Sequence, residues 1–439
     1  MTVRRHNTGS MPSLNAPTAS KFGDLAGGIT TFFTMAYIVV VNPGILAAPG
    51  TGMPFSGALT ATVLISFLMT LAMGLYARLP FAIAPGMGLN AFFAYTIVIQ
   101  GMVPWQTALG MVFWAGVLFV IVSATPLRER IATSIPTGLR IAAAGGIGLL
   151  LTFIGFRNAG LIAADATTIV RLGALDYRAA FMLLGIVIAV LLLRQNNPFA
   201  FLASIFAVTA LAWASGLAAP PPQMTSAPDF SSTFLQLDIV GALQPALAPA
   251  IVAILFTDLF DSLSTFMGVA NAAGLTEPDG RPLNLRRALI VDAFATMGSG
   301  VAGTSSATAF VESISGIRVG ARSGRASVMT ALCFLPCFFI APLAAAVPPY
   351  ATAAVLVLVG LAMFQTVATL DFRAIEDALP PFVTIVLIPL TLSITQGILW
   401  GFVLHALLYT TAGRRREISG TLWALAAISA GLLVLESRA

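Results

Sequence analysis

The chain of 439 residues is 58% hydrophobic and only 9% charged, whereas soluble domains carry roughly 25% charged residues. A water-soluble fold is thereby excluded. At about 20 apolar residues per helical crossing the chain can span a bilayer about a dozen times or more with no separate soluble domain. The net charge of +5 does not argue for nucleic acid, because the basic residues stand singly or in threes between apolar runs, as topology signals do.

Residues 1–22 include Arg4, Arg5, Asn7, Ser10 and Pro12, carry no apolar signal core and read as a cytoplasmic tail. Apolar stretches follow at 25–42, 56–76, 81–100, 105–124, 137–156, 179–193, 198–217, 245–270, 286–302, 304–317, 326–347, 350–368, 381–394 and 396–411. These fourteen segments define an all-α polytopic membrane protein. Two of them are broken: 81–100 contains Pro85, Gly86 and Gly88, and 304–317 is rich in Ser, Thr and Gly. Irregular backbone survives at membrane depth only where protein or a water-filled cavity covers it.

Residues 218–244 hold Pro220, Pro221, Pro222 and Pro228 and no basic residue. They form an external linker between two halves of seven segments, and Asp229 within it reads as an acid outside any site. An odd number of crossings per half makes the halves inverted. The two broken stretches are then the third segment of each half, the arrangement that marks a transporter binding site near the midplane. Cys333 and Cys337 lie four apart in an apolar run, without the companion ligands of a zinc site, and read as packing residues. No metal or cofactor is expected. Beyond the last segment, 418–435, with Trp423 and a flanking Glu436, reads as a helix lying at the interface, with a fifteenth crossing as the alternative.

With the N-terminus inside and a reversal at each segment, only Arg157, Arg171 and Arg178 of the 22 Lys and Arg face out. Lys21, Arg78, Arg128, Arg130, Arg140, Arg194, Arg286, Arg287 and the run Arg414 to Arg416 all face in. So strong a bias supports both the even number of segments and the orientation.

A carboxylate near the bilayer centre costs roughly 2.5–3.5 kcal/mol on insertion scales, so acids within the spans are functional candidates. Asp258 and Asp261 lie three apart, on one face of the eighth segment. Asp292 lies in the ninth and Glu312 in the broken tenth; the three segments hold no basic residue beyond Arg286 and Arg287. Asn90 follows the Pro-Gly break of the third segment, where a half-helix exposes unsatisfied N–H groups and the amide supplies donors and an acceptor. Phe32, Phe33, Phe92, Phe93 and Phe310 are near enough to the breaks to offer flat surfaces. Acids, an amide and aromatics suit a neutral planar ligand with several donors, such as a nucleobase, and suit an anion badly. A buried carboxylate can also exchange a proton as access alternates.

The segments GDLAGGITTFFTMAYIVVVNPGIL (23–46), APGMGLNAFFAY (84–95), FTDLFDSLSTFMGVANAAGL (256–275) and GTSSATAFVESISGIRVGARSG (303–324) together resemble the azaguanine-like purine permeases among the nucleobase and ascorbate transporters, relatives of the xanthine and uracil permeases. The likeness in layout extends over about 25–415. It implies fourteen transmembrane segments in two inverted repeats of seven, with short strands in segments 3 and 10. It also implies a core domain (23–126 and 245–347), a gate domain (127–217 and 348–413), a periplasmic linker (218–244) and a C-terminal tail or interfacial helix (414–439). The implied activity is import of a purine nucleobase (adenine, guanine or hypoxanthine) across the inner membrane by proton symport, with an elevator motion of core against gate. By position, Asp258 and Glu312 match the family's substrate-binding acids and Asn90 its polar contact in segment 3, with Phe32 and Phe310 beside them. Asp261 and Asp292 match further acids, for proton coupling or site support.

Two rivals remain at this stage. A carrier of the same architecture for uracil, xanthine or an anion such as sulfate would, for the anion, want half-helix dipoles or an arginine rather than acids. An intramembrane aspartyl protease would want Tyr-Asp and Gly-x-Gly-Asp on successive spans, where this chain has Thr257-Asp258 and Val291-Asp292. The sequence leaves open which purine is preferred, whether protons or sodium couple, and whether two copies pair through the gate domain.

Overall fold

The computed structural model describes residues 20–125, 136–165, 167–276 and 282–436. The expected N-terminal tail up to residue 19, the stretch with Arg128 and Arg130, the stretch 277–281 and Arg438 lie outside them.

Each of the fourteen segments finds an element. Segment 1 is two helices, Lys21–Met35 and Ile38–Leu46, interrupted at Ala36 and Tyr37. Segment 2 is Phe55–Ala72 with a wider final turn, Met73–Ala77. Segment 3 is the strand β1 (Ile83–Pro85), then the half-helix Met87–Ala91, which widens over Phe92–Gln100. Segments 4 to 7 are Trp105–Ala124, Thr137–Asn158, Tyr177–Arg194 and Ala200–Ala214. In the second half, Ala248–Ala273 and Leu285–Ala302 are segments 8 and 9. Segment 10 is a strand, Ala307–Ala309, followed by the half-helix Ser313–Val319. Segment 11 begins at Gly324–Phe334 and ends in the short helix Ala341–Ala345. Pro349–Phe364, Ile375–Thr391 and Ile394–Thr411 are segments 12 to 14. A last helix, Gly420–Glu436, packs along segment 14.

One feature departs from an all-α chain with strands only in segments 3 and 10. Residues 162–172 form a hairpin of β2 (Ile162–Asp165) and β3 (Ile169–Leu172) between segments 5 and 6. Asp165 closes its turn by accepting from the amides of Thr167 and Thr168 at 2.8 and 3.0 Å, an aspartate turn that mimics a backbone turn. The strand in segment 10 is therefore β4.

Segments 1–4 and 8–11 pack on one another, as do segments 5–7 and 12–14. The second group closes most extensively where segment 12 crosses segment 5. There a Cβ on either Gly148 or Gly360 would stand 2.4 Å from the other's carbonyl oxygen, so only glycine permits this approach, as small residues do between membrane helices. The two groups meet where segment 1 touches segment 7, segment 3 touches segment 5 and segment 8 touches segment 14. Segment 6 turns Leu183, Val187 and Leu191, one helical stripe, outward at more than half exposure. An uncovered apolar stripe of this kind belongs against lipid.

The breaks in segments 3 and 10 pair with each other. β1 and β4 run antiparallel, with Ile83 opposite Ala309, Ala84 opposite Thr308 and Pro85 opposite Ala307. The ladder continues through Gly86 N–H to Ser306 O and Phe310 N–H to Ala82 O, both at 2.9 Å. Side chains finish the accounting: Thr70 Oγ1 bonds both the N–H and the C=O of Ile83, and Ser313 Oγ accepts from Ala82 N–H. Extended backbone at membrane depth is thus paired along the ladder and at its ends, which is the condition for its being there.

The linker is fastened to segments 2, 4, 9 and 11. Asp229 Oδ2 accepts from Ser56 Oγ at 2.7 Å, and its N–H donates to Thr60 Oγ1 at 3.0 Å. Asp238 N–H donates to Gln106 O, Leu235 N–H to Val301 O and Ser226 N–H to Phe339 O. Gly303, at φ +95°, turns the chain out of segment 9 where a Cβ would meet Thr233 at 2.4 Å.

Candidate functional site

The crossing of β1 and β4 sets the site, because strand side chains two residues apart share a face. Ser306 and Thr308 point their hydroxyls at segments 8 and 9, which carry the aspartates. Asp258 is fully buried; its Oδ2 accepts from Ser306 Oγ at 2.6 Å and from Thr296 Oγ1. Asp292 is buried as deeply, and its Oδ2 accepts from Ser262 Oγ. Ser262 Oγ lies 2.6 Å from Thr308 Oγ1. Each aspartate therefore holds one hydroxyl of its own helix pair and is tied, directly or through Ser262, to one hydroxyl of β4. The Oδ1 atoms of both aspartates are buried with no hydrogen-bond partner among the described residues.

Asn90 sits in the half-helix after β1, where its Oδ1 accepts from Ser305 Oγ. Its Nδ2 is buried and, among the described residues, unpartnered. Glu312 immediately precedes the half-helix of segment 10 and is half-buried; its Oε1 accepts from Tyr37 Oη at 2.6 Å. Asp261, also half-buried, stands one turn below Asp258 and close enough to Glu312 for their charges to repel. Asp292 feels the charges of both Asp258 and Asp261. The four acids named from the sequence are thus neighbours. They divide into a buried pair locked to hydroxyls and a half-buried pair facing the space beside segment 1.

The aromatic candidates are placed differently. Phe32 packs edge-on against Phe334 of segment 11 and against Phe33, with ring centroids 5.1 and 5.2 Å apart. Phe33 leans on Phe199 of segment 7 at 4.4 Å. Phe310 is buried next to the strand end that bonds Ala82. Phe92 and Phe93 line a narrow crevice with Leu89, Val112, Ile254 and Ser306.

Sequence reading missed the partners of the acids, Tyr37, Ser262, Thr296 and Ser306, and with them Ser305, which bonds Asn90, and Thr308, which bonds Ser262. A signal was present. Ser262 and Thr296 each follow an aspartate by one helical turn, and a tyrosine inside an apolar run needs a partner for its hydroxyl. Asn42 was missed for the same reason; it is fully buried and donates to Thr62 and Thr304 at 2.7 and 3.0 Å, joining segments 1, 2 and 10.

The ion pairs among the described residues join Arg171 to Asp165, Arg178 to Asp176, Arg373 to Asp371, and Arg414 to Glu376, Asp377 and Glu417. None involves the four acids. A cluster of acceptors without a cation repels anions and binds a ligand that brings its own N–H donors. The Permease family model, that of the xanthine and uracil permeases, matches residues 23–399. The chain belongs to this permease family. It is a multi-pass membrane transporter rather than an enzyme.

This permease is 37% identical to the adenine permease AdeP of Escherichia coli, over 90% of this chain and 89% of that one. It is 38% identical to the guanine/hypoxanthine permease PbuO of Bacillus subtilis, over 90% and 93%. The transmembrane domain of a cyanobacterial bicarbonate transporter, BicA, has the same fold, with a TM-score of 0.64 at 17% identity over 87% of this chain and 97% of that one.

Proposed function

We propose that this permease carries purine nucleobases inward across the inner membrane, with its N-terminus in the cytoplasm and protons as the coupling ion. The observation that carries the substrate is the set of unused polar atoms around the strand crossing: acceptors on Asp258 and Asp292, the half-buried carboxylates of Glu312 and Asp261, and the free Asn90 amide donor. A purine offers ring and exocyclic N–H donors to such acceptors and ring nitrogens to such a donor, and needs no cation. Similarity to AdeP and PbuO, which are named for adenine and for guanine and hypoxanthine, supports the same substrate class. In this reading Glu312 and Asp258 bind the base, Asn90 completes the contact, and Asp261 and Asp292 take part in coupling or support.

Segments 1–4 and 8–11 form the moving core and segments 5–7 and 12–14 the gate, a division supported by the way the segments pack. The linker, bonded to segments 2, 4, 9 and 11, travels with the core. The deciding experiment is uptake of labelled adenine, guanine, hypoxanthine, uracil and sulfate by cells expressing the protein. Saturable purine uptake, competed by unlabelled purines and untouched by sulfate, is expected. Uptake of uracil or sulfate in place of purines would replace the substrate assignment.

A further inference from the structure

We propose that Tyr37 is a positioning residue for Glu312, holding one carboxylate oxygen so that the other is presented to the base. The inference rests on Glu312 belonging to the binding site. Tyr37 lies in the helical turn that joins the two helices of segment 1, and its side chain reaches across to segment 10. Its ring is 1% exposed and packs edge-on against Phe201 of segment 7, with centroids 5.2 Å apart. Its hydroxyl donates to Glu312 Oε1 at 2.6 Å.

The geometry gives Glu312 what its position otherwise lacks. A glutamate side chain is among those that lose most rotamer freedom when fixed, and a half-buried one with no partner would have to be ordered at the moment the base binds. A rigid phenol, clamped by its own ring packing, meets that cost in advance, which is how preorganisation raises affinity. A carboxylate accepts several hydrogen bonds, so one phenolic donor leaves room for a base. Asp261 nearby repels Glu312, and the Tyr37 bond directs the carboxylate against that push. Because the same ring bears on Phe201, Tyr37 also joins the site to segment 7, where the two packing groups of segments meet.

Tyr37→Phe keeps the ring and its packing and removes only the hydroxyl. Equilibrium binding of labelled adenine, guanine and hypoxanthine to purified Tyr37→Phe, Glu312→Gln and the double variant tests the proposal, with thermal unfolding as a check on folding. Because the hydroxyl acts through Glu312 and not on the base itself, Tyr37→Phe should weaken binding in the parent by less than the value of a hydrogen bond to a charged group, about ten- to a hundredfold. It should change nothing further in the Glu312→Gln background, since contacting residues couple. In transport KM should rise with the maximal rate unchanged, the mark of lost binding rather than lost motion. Weakening by Glu312→Gln but not by Tyr37→Phe overturns the role of Tyr37 and leaves the site intact. Equal weakening in both backgrounds shows that Tyr37 acts by packing alone and also overturns it. Full affinity in Glu312→Gln removes Glu312 from the site and the inference with it. Should Tyr37→Phe fail to fold, Glu312→Asp withdraws the carboxylate from the phenol by one methylene while keeping the charge, and parental affinity in that variant overturns the proposal.

Discussion

Ser306 and Asp258, 48 residues apart in the chain, share a 2.6 Å hydrogen bond that joins β4 to segment 8 at the depth where β1 and β4 cross. The bond occupies Oδ2, together with Thr296, and leaves Oδ1 without a partner among the described residues. If Asp258 binds the base as proposed, Asp258→Asn should remove an acceptor and weaken purine binding by about ten- to a hundredfold, the value of a hydrogen bond to a charged group. Ser306→Ala leaves Oδ1 in place and loosens only its support, so its effect on affinity should be smaller and its main effect a lower melting temperature. Asp371→Asn, at an exposed pair with Arg373, is the control, since surface pairs contribute little. Parental affinity in purified Asp258→Asn would remove Asp258 from the site.

Asn90 makes a sharper test of the donor side. Its Oδ1 is held by Ser305 and its Nδ2 is free. Asn90→Asp keeps the size and the acceptor for Ser305 but has no amide to donate. If Nδ2 meets a ring nitrogen of the base, binding should weaken by at least the two- to tenfold expected of a neutral hydrogen bond, about 0.5–1.5 kcal/mol. Binding isotherms for the variant and the parent decide it; superimposable curves would make Asn90 a packing residue.

Asp229 predicts a pH effect outside the membrane. Burial pushes its carboxyl upward, but hydrogen bonds from Ser232, Ser56 and Ser231 outweigh that and hold it below the usual carboxylate value. A group whose value is depressed in the folded state adds stability that is present above its unfolded value, about 3.9 for aspartate, and that is lost as pH falls through the folded value. Asp229→Asn should lower the melting temperature at pH 7, and the gap to the parent should close as pH approaches 3. A gap independent of pH would show that the charge of Asp229 does not matter. The sequence treats this acid as a bystander in an external linker; the structure makes it the fastening between linker and segment 2.

How much could be read in advance follows from which interactions are local. Segment positions, their number and the two breaks come from runs of apolar residues and from Pro85, Gly86 and the Ser/Thr-rich stretch at 304–308, all visible within one turn of chain. The four acids are conspicuous because charge inside an apolar run is costly. Their partners are not, since Tyr37 reaches Glu312 across 275 residues and Ser305 reaches Asn90 across 215, and a hydroxyl in a membrane helix is cheap enough to need no explanation. Phe32 is a case where neighbourhood in sequence says little of packing: its ring meets Phe334 of segment 11, a contact between distant segments. The hairpin at 162–172 escaped because its strands are short and half-polar, and the turn that makes it rests on one aspartate.

Coupling is the last expectation, and it follows from the same unpaired oxygens. Asp258 and Asp292 are completely buried, repel one another and have no basic partner among the described residues. A buried pair of acids without a basic partner is where the proposed proton coupling would act. Purified protein in liposomes should accumulate labelled purine when an inward proton gradient is imposed and should not when a sodium gradient alone is imposed. Asp292→Asn, neutral at every pH, should bind purine within a few-fold of the parent yet lose gradient-driven accumulation while retaining exchange of labelled for unlabelled base. Accumulation driven equally by either gradient, or by neither, would end the proton assignment. Gradient-driven uptake surviving in Asp292→Asn would move the coupling role to Asp258, Asp261 or Glu312.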